Sequence, residues 1–543
     1  MPPSRTRLVC RAHNRFTPAT ALWEHFVGPH LPNLRLRLHQ HRFSSTATEP
    51  AHHGADADNA ATGEVGAKGV QQEPGTKPAL NIRRMTTAKG HWLPHKVDAS
   101  IAKNKMQLYA SREVSLTGPE KLLAVARAAF EDSKEYEGLA VKPMVSTKPI
   151  KESALPWCLR DSRSSMPAMD VLDKEIEKFY KYTKPTEAEQ RARQHLVHQV
   201  RSQVQGSLKG YDVEVFGSER NGIAFATSDI DFRLMHPSQT SNPTVARLPP
   251  TKWQREQWLY RLQYLFNRTI RRHEAYFLPV IRYARYPLIS AQDRNSGLDI
   301  QIVLSNDTSL SNTMVQNYMD EIPYLRKLYY VAKNILDVRG LSDVYRGGIG
   351  SYSIFMMLVA SIKHMPHERQ DAAGALLNFL NFYSIFDTKK HGISIEPVGL
   401  FDKAKHPIIT KATEAKLEQG KAKPLPSYML SLRDPADATN DLGRKGIAIK
   451  HVQATFSHLY DQLNRDIKAN TRPSLLAPSV GPSYMLNLLR RQKLQRYGER
   501  LQRETQQTLA EKAKLVREAD REGMTGSRTN TDDVGPSPGS NIV

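Results

Sequence analysis

Two short stretches of alternating apolar and polar residues carry three aspartates, and they constrain the fold more than any other feature of the chain. Asp229 and Asp231 flank Ile230 in the first stretch, and Asp299 stands in a second stretch further along. Successive side chains of a strand point to opposite faces, so Asp229 and Asp231 share one face while Ile230 enters a core. We therefore predict a small sheet in which an adjacent strand brings Asp299 beside the first pair.

A glycine-serine pair precedes these aspartates. Residues 211–216 alternate like a strand and run directly into Gly217 and Ser218, ten residues before Asp229. Glycine lets the backbone turn without a Cβ in the way, and the amides exposed at such a turn, with a serine hydroxyl, bind phosphate. The pattern predicts a phosphate-binding turn next to the aspartates.

Three carboxylates on one face indicate a metal site. Carboxylates a few ångström apart repel each other unless a cation lies between them, and Mg²⁺ prefers such oxygen ligands. We predict that Asp229, Asp231 and Asp299 bind Mg²⁺ or Mn²⁺ and catalyse an in-line phosphoryl transfer, with Asp299 on the hydroxyl side as proton acceptor. The alternative is three unrelated surface acids, which is the usual meaning of a lone Asp-x-Asp.

The rest of the chain predicts more helices than strands. A helix over Trp253–Ile270 and a strand over Val280–Tyr286 complete the first region. Beyond residue 305 the strand signals fade, and apolar residues at helical spacing predict three helices, over 325–336, 351–362 and 449–463. The predicted fold class is α+β, a small mixed sheet with helices followed by a mostly helical domain.

The spacing of Gly217-Ser218, Asp229-x-Asp231 and Asp299 resembles the DNA-polymerase-beta-type nucleotidyltransferase superfamily. Within it, the chain is similar to the atypical poly(A) and poly(U) RNA polymerases that carry a PAP-associated domain, from about residue 172 to 463. The resemblance implies a nucleotidyltransferase palm over 166–310 and a helical, nucleotide-recognising PAP-associated domain over 311–480. It also implies template-independent addition of nucleotides to RNA 3′ ends.

The same resemblance implies contacts to the nucleoside triphosphate. Asn312 and Thr313 match the pair that hydrogen-bonds the ribose, although Asn312 also suits a helix N-cap. Lys333 matches the lysine that meets the triphosphate; its alternative is an i,i+4 ion pair with Asp337. Asp337 stands where the family often has a second basic residue, so fewer triphosphate contacts are expected.

Base recognition is implied for a second set of residues. Ser351 matches a phosphate-binding serine, or is simply the N-cap of its helix, and Tyr352 matches the tyrosine that stacks on the base. Asn440 stands where several uridylyl-adding members have histidine and adenylyl-adding members commonly have asparagine. An amide donates and accepts, which suits an adenine edge and favours ATP as substrate; the alternative for Asn440 is an ordinary turn.

The composition of the chain predicts the character of its two ends and the kind of partner it binds. The 543 residues carry a net charge of +22, which favours a polyanion such as RNA. Residues 1–45 hold seven arginines and one acid, as in a mitochondrial transit peptide, or else form a basic arm. Residues 46–165 are expected to be a poorly patterned linker, and 481–543 a basic helix with a disordered tail. The helix over 489–503 either grips phosphates or is a solvated face.

Two cysteines exclude a disulfide framework and a cysteine-rich zinc site, and no apolar run is long enough to span a membrane. The leading hypothesis is a poly(A) RNA polymerase of the mitochondrial matrix that adds AMP from ATP to RNA 3′ ends, with a nuclear enzyme as the alternative location. A terminal uridylyltransferase of the same fold is the second hypothesis. The third is a catalytically silent scaffold bound to RNA or ribosomes.

Overall fold

The computed structural model of the protein describes residues 119–144, 150–159, 166–235, 251–283, 286–305 and 308–526. The predicted transit peptide, the linker up to residue 118 and the tail beyond 526 lie outside the described residues. No helix of the described ranges is both long and apolar enough to cross a membrane.

A five-stranded mixed sheet forms the first part of the fold. Its strands are β1 (Asp212–Phe216), β2 (Ile230–Met235), β3 (Tyr276–Arg282), β4 (Leu288–Asp293) and β5 (Asp299–Leu304). They are ordered β1-β2-β5-β4-β3, with β2 and β5 parallel and the other neighbours antiparallel. The parallel pair is the pair that carries the aspartates, so residues far apart in sequence meet on adjacent strands.

The helices include, in chain order, α1 (Pro119–Glu131), α2 (Ala168–Thr183), α3 (Glu187–Ser207), the short α4 (Gly217–Arg220), α5 (Lys252–Leu265), α6 (Ser309–Glu321), α7 (Leu325–Asp337), α8 (Ser351–His364), α9 (Ala372–Ile385), α10 (Lys411–Glu418), α11 (Ile449–Ala469), α12 (Ala477–Val480) and α13 (Pro482–Gly526). Two small hairpins, β6 (His391–Ser394) with β7 (Gly399–Asp402) and β8 (Arg433–Asp434) with β9 (Asp437–Asp441), lie among them. The α+β class predicted from the sequence is confirmed.

One face of the sheet is apolar because the strands alternate as the sequence predicts. Ile230 and Phe232 of β2 and Ile300 and Ile302 of β5 are fully buried. They form a core with α3, α5 and the first half of α13. The opposite face therefore receives the aspartates of β2 and β5.

A second core is helical and begins earlier in the chain than predicted. Residues 46–165 were expected to be a poorly patterned linker, but Leu155 and Trp157 are buried in the helical core, where Trp157 packs on Phe179 of α2. Tyr136 donates a hydrogen bond to the carbonyl of Ile447, more than 300 residues away. Residues 134–144 and 150–159 lack a periodic pattern because single large side chains such as Tyr136 and Trp157, and not a helix face, insert into this core.

The domain boundaries also differ from the predicted ones. Helix α2, assigned to the palm by the sequence, packs into the helical core, whereas α3 packs on the sheet. Helix α13 returns to the sheet, where Leu494 and Tyr497 are buried. Gly498 lies so close to α3 that a Cβ there would be 1.8 Å from the carbonyl oxygen of Ala188. The predicted basic helix is thus a structural element of the palm side over its first part.

Two local predictions are wrong, and two features were missed. Strand β3 spans Tyr276–Arg282 and not 280–286, and the helix predicted to run to Ile270 ends at Leu265 in a π-helical turn, Phe266–Ile270. Strand β4 was missed because its Ser, Ala and Gln residues have little β propensity, and its place between β3 and β5 decides its structure. The hairpins beyond residue 305 were missed because each strand is five residues or shorter.

Candidate active site at the edge of the sheet

The glycine-serine turn lies directly against the first aspartate pair. Strands β1 and β2 are antiparallel with Phe216 opposite Asp231, and the chain turns at Gly217, whose φ is +68°. A Cβ on Gly217 would stand 2.9 Å from Oδ2 of Asp231. Glycine is therefore required twice here, for its backbone conformation and for the close approach of the carboxylate. Ser218 follows as the second residue of α4.

Asp231 is held in an environment that disfavours its charge. Burial, followed by the negative charge of Asp229, raises the pKa of the Asp231 carboxyl well above its usual value. Asp229 accepts a hydrogen bond of 2.6 Å from the amide of Gln301, which lies opposite Asp231 on β5. The pair therefore has one amide donor and an unfavourable mutual repulsion, which a divalent cation between the carboxylates relieves.

Asp299 begins β5 on the same face and is the most exposed of the three. It accepts a hydrogen bond from the side-chain amide of Gln292 of β4 at 3.1 Å. It also forms an ion pair with Arg490 of α13 at 3.3 Å. Among the described residues, no three His, Cys, Asp or Glu side chains are arranged to hold a metal ion together. Asp229 and Asp231 are thus the pair that fits a divalent cation, and Asp299 is turned to protein donors.

Asn312 is connected to the turn through a residue that the sequence did not reveal. The amide of Asn221, which follows α4 and is buried, donates to Oδ1 of Asn312 at 3.3 Å. The Nδ2 atom of Asn312 is buried and has no partner among the described residues. Asn312 is the fourth residue of α6, so the N-cap alternative is wrong. The hydroxyl of Thr313 donates to the carbonyl of Ser309 in its own helix.

Lys333 and Ser351 lie on the helical side of the site. Lys333 of α7 pairs with Asp337, the i,i+4 contact that was the alternative to a phosphate role. Ser351 is the first residue of α8, and Gly350 is the N-cap, so the N-cap alternative for Ser351 is wrong. The Ser351 side chain meets the buried hydroxyl of Tyr329.

Tyr352, Asp434 and Asn440 form a connected group, the base clamp. The Tyr352 hydroxyl donates to one oxygen of Asp434 at 2.8 Å, and the Asn440 amide donates to the other at 2.8 Å. Burial raises the pKa of Asp434, while these two donors act in the opposite direction. Asn440 is exposed in strand β9, so it lies outside the simple turn that was its alternative. Through its hydrogen bond to Asp434, Asn440 is connected to Tyr352 of α8. The sequence did not predict this connection.

A buried arginine holds the loop between the turn and Asp229. The Arg193 side chain, on α3, is fully buried and pairs with Glu219 of α4. It also donates to the carbonyls of Ala226 and Ser228, at 2.9 and 2.8 Å. One side chain thus fixes both ends of the segment that precedes Asp229. Sequence reasoning missed it because a lone arginine in a polar helix carries no signal.

Comparisons with known proteins match both halves of this arrangement. A family model of the central palm domain of mitochondrial-like poly(A) RNA polymerase matches residues 172–320. A second model, the PAP-associated domain of Cid1 family poly A polymerases, matches residues 373–440. The first span contains the turn and the three aspartates, and the second contains Asp434 and Asn440.

Curated relatives are similar over a little more than half of the chain. Poly(A) RNA polymerase CID14 of Cryptococcus neoformans is 25% identical over 323 residues, 58% of this chain and 39% of the relative. Poly(A) RNA polymerase cid14 of Schizosaccharomyces pombe is 25% identical over 349 residues, 63% of this chain and 47% of the relative. The inactive non-canonical poly(A) RNA polymerase protein Trf4-2 of Drosophila melanogaster is 24% identical, covering 59% of this chain and 75% of the relative. The chain thus spans less than half of the length of the first two.

A solved structure of the polymerase core of TRAMP, an RNA surveillance complex, has a TM-score of 0.49 and 21% identity, covering 60% of this chain and 99% of that one. The chain thus carries two segments, in the order palm then PAP-associated domain, that are similar to domains of poly(A) RNA polymerases.

Proposed function

We propose that the protein adds AMP from ATP to the 3′ end of RNA without a template. The observation that supports this proposal is the close approach of Gly217 to Asp231, because it brings the glycine-serine turn against a carboxylate pair whose mutual repulsion a cation would relieve. The net charge of +22 suits an RNA substrate.

The residues have the following proposed roles. The amides of the turn at Gly217 and Ser218 bind the triphosphate, Lys333 exchanges Asp337 for a phosphate oxygen, and Asn312 donates its unpaired Nδ2 to the ribose. Asp229 and Asp231 hold Mg²⁺ or Mn²⁺, which when bound stabilises the negative charge that develops on the phosphates.

The transfer forms one bond and breaks another. The RNA 3′-hydroxyl oxygen attacks the α-phosphorus, its proton passes to a carboxylate oxygen of Asp299, and the bond to pyrophosphate breaks. Asp299 suits the acceptor role because it is the most exposed of the three carboxylates. Holding the hydroxyl and the triphosphate in line supplies most of the acceleration in such a reaction.

The choice of ATP rests on the base clamp. Tyr352 offers a ring for base stacking, and Asn440 offers an amide that donates and accepts. Asp434 fixes Asn440 by taking one of its amide hydrogens, which leaves the other hydrogen and the oxygen for a base edge. Two relatives named poly(A) RNA polymerases support ATP. A terminal uridylyltransferase of the same fold is the second candidate, since stacking on Tyr352 accepts any base and Asn440 alone separates the two.

The test is extension of a labelled RNA by the full chain with each of the four nucleoside triphosphates and Mg²⁺. We expect AMP to be added in preference to UMP, and Asn440→His to shift the ratio toward UMP. Preferential addition of UMP by the unaltered protein would replace the first candidate by the second. Loss of all addition would favour the scaffold hypothesis.

We also propose that the protein acts in mitochondria. The proposal rests on the arginine-rich composition of residues 1–45 and on the mitochondrial-like palm model. Fusing residues 1–45 to a fluorescent protein tests it. Import into mitochondria with cleavage near residue 45 is expected, and nuclear accumulation of the full chain contradicts it.

A further inference from the structure

Helix α13 lies outside both matched domains, yet one of its side chains reaches the proposed catalytic aspartates. Arg490 pairs with Asp299 at 3.3 Å, 191 residues away in sequence. The Nε atom of Arg490 is buried and has no hydrogen-bond partner among the described residues. Arg490 thus places a positive charge on the side of the site where the RNA hydroxyl is proposed to react. Its Nε–H remains available to donate a further hydrogen bond.

Two further cations continue the same face of α13. Lys493 lies over the turn that precedes Asp299, where a Cβ on Gly297 would be 3.2 Å from its Nζ. Arg500 stacks on Tyr497 and donates to Asn295 of the same turn at 3.5 Å. Positions 490, 493, 497 and 500 share one face of a helix, since they are spaced by three and four residues. We call Arg490, Lys493 and Arg500 the basic track.

The contacts of the basic track are weak enough to be exchanged. The Arg490–Asp299 pair is partly exposed on both sides, at 31% and 53%, and such pairs contribute little to stability. Lys493 forms no ion pair with a carboxylate of the described residues, and Arg500 pairs with Glu504 at 3.6 Å. By contrast, Arg491 on the neighbouring face is a structural anchor, because it pairs with Glu189 and donates to two carbonyls.

The geometry and the charge fit one ligand, a single strand of RNA. From Arg490 to Arg500 the helix rises about 15 Å, a length over which several successive phosphates of one strand lie. Arg490 is at the end beside Asp299, so it meets the phosphate nearest the reacting hydroxyl. Lys493 and Arg500 meet phosphates further from the 3′ end.

We propose that the basic track binds the backbone of the RNA substrate at its 3′ end, with Arg490 leaving Asp299 to contact the last internucleotide phosphate. The proposal rests on the proposed function for the identity of the RNA end, but the binding itself requires no catalysis. Arg490 is in this sense a positioning residue for the hydroxyl.

The test measures binding of a 5′-fluorescein-labelled 15-nucleotide oligoadenylate to the full chain by fluorescence anisotropy, in EDTA and 0.1 M salt. We expect Arg490→Gln and Lys493→Gln each to raise Kd about threefold to fivefold and to lower the slope of log Kd against log salt by about 0.7. The matched control is Arg517→Gln, which removes the same charge from the exposed part of α13, about 40 Å along the helix from Arg490. It is expected to leave Kd within a factor of 1.5. Leu494, Tyr497 and Arg491 keep the helix in place in each variant, which thermal unfolding checks.

A second arm locates the contact. An oligoadenylate with an uncharged methylphosphonate in its last linkage is expected to bind the wild type as weakly as the normal RNA binds Arg490→Gln. The modification and the substitution together are expected to cost no more than either alone. Equal Kd and salt slope for Arg490→Gln and Arg517→Gln would overturn the proposal, as would full additivity of the two changes.

The two proposals fail differently. If the protein extends RNA but Arg490→Gln binds it like Arg517→Gln, the basic track is wrong and the proposed function stands. If no nucleotide is added while the methylphosphonate and Arg490→Gln are coupled, the track stands and the proposed function is wrong.

Discussion

The carboxylate pair on the sheet and the base clamp on the helices are built on opposite principles. At the sheet, Asp231 lies close to Gly217, and burial together with the negative charge of Asp229 raises the pKa of its carboxyl well above the usual value. In the clamp, both oxygens of the buried Asp434 accept hydrogen bonds from the residues proposed to meet the base. We propose that a cation and a phosphate complete the first site, whereas hydrogen bonds already hold the residues of the second in place. We therefore expect substitutions on the sheet to change the rate of the proposed transfer, and substitutions in the base clamp to change the affinity for the nucleotide.

The largest test of this contrast is Asp231→Asn, which should lower activity and raise stability together. Nucleotide addition is expected to fall at least about 10³-fold, because a proposed ligand of Mg²⁺ is lost. A carboxyl whose pKa is raised on folding contributes stability that is present below its unfolded pKa and lost as the pH rises through its folded pKa. The uncharged amide of Asn avoids this loss of stability at neutral pH, because it does not ionise. The Tm of the metal-free variant should therefore be about 2–4 °C above that of the wild type.

The control for Asp231→Asn is Asp212→Asn, at an exposed position of the neighbouring strand β1. It should change neither activity nor Tm appreciably. Mg²⁺ should raise the Tm of the wild type and leave that of Asp231→Asn unchanged. A Tm of Asp231→Asn below that of the wild type in EDTA would contradict the account of a disfavoured charge.

The next test is Gly217→Ala, which inserts a Cβ 2.9 Å from Oδ2 of Asp231 at a φ of +68°. We expect a loss of activity of about 10²-fold, because displacing a catalytic group by a fraction of an ångström is costly. Unfolding free energy should fall by about 1–2 kcal/mol.

Gly210→Ala separates backbone strain from the clash. Gly210 has a φ of +85°, and nothing lies within 4 Å of its added Cβ. It should lose a similar amount of stability, measured by urea unfolding, and keep its activity. Equal activities of the two variants would show that the contact with Asp231 is unimportant.

A smaller effect is expected in the base clamp. Tyr352 and Asn440 both donate hydrogen bonds to Asp434. Asp434→Asn replaces one of the two accepting oxygens by an NH₂ donor, so one of these hydrogen bonds is lost. KM for ATP should rise about tenfold while kcat changes less than about threefold, since a group that binds ground state and transition state alike is disturbed. Asp437→Asn, exposed in the same hairpin, is the control. A fall in kcat as large as the rise in KM would show that the base clamp also takes part in the chemical step. The sheet and the clamp would then not differ in the way described above.

The smallest effect concerns Lys333, which pairs with Asp337 in the structure. If it contacts the triphosphate, Lys333→Gln should raise KM for ATP about fivefold, and Asp337→Asn should leave it unchanged or lower it. If the ion pair is its only role, both variants should lose the same roughly 0.3–0.5 kcal/mol of stability with no change in KM. Steady-state kinetics and thermal unfolding of both proteins decide between these roles.

The sequence predicted those parts of the molecule that depend on local pattern. Alternation placed Ile230 and Phe232 in the core and the aspartates on the other face, and helical spacing predicted α7 and α8. These features follow from the period of one strand or one helix, so a single stretch of residues is enough to identify them.

Contacts between distant segments were not predictable in this way. Asp434 joins Tyr352 to Asn440 across 82 residues, and Arg490 reaches Asp299 across 191. Trp157 enters the helical core from a segment without a pattern. Each depends on how separate elements pack, and no periodicity of a single stretch encodes it. The domain boundaries differ for the same reason, because α2 packs into the helical core and α13 packs on the sheet.

We propose that the carboxylates on the sheet catalyse the transfer of a nucleotide to RNA. The most direct measurement is the incorporation of radiolabelled AMP into a defined RNA by the full-length wild type and by Asp231→Asn, with Mg²⁺ and with EDTA. We expect incorporation at the RNA 3′ end by the wild type with Mg²⁺, and none above background in the other three reactions. Incorporation by Asp231→Asn at the wild-type rate would contradict it.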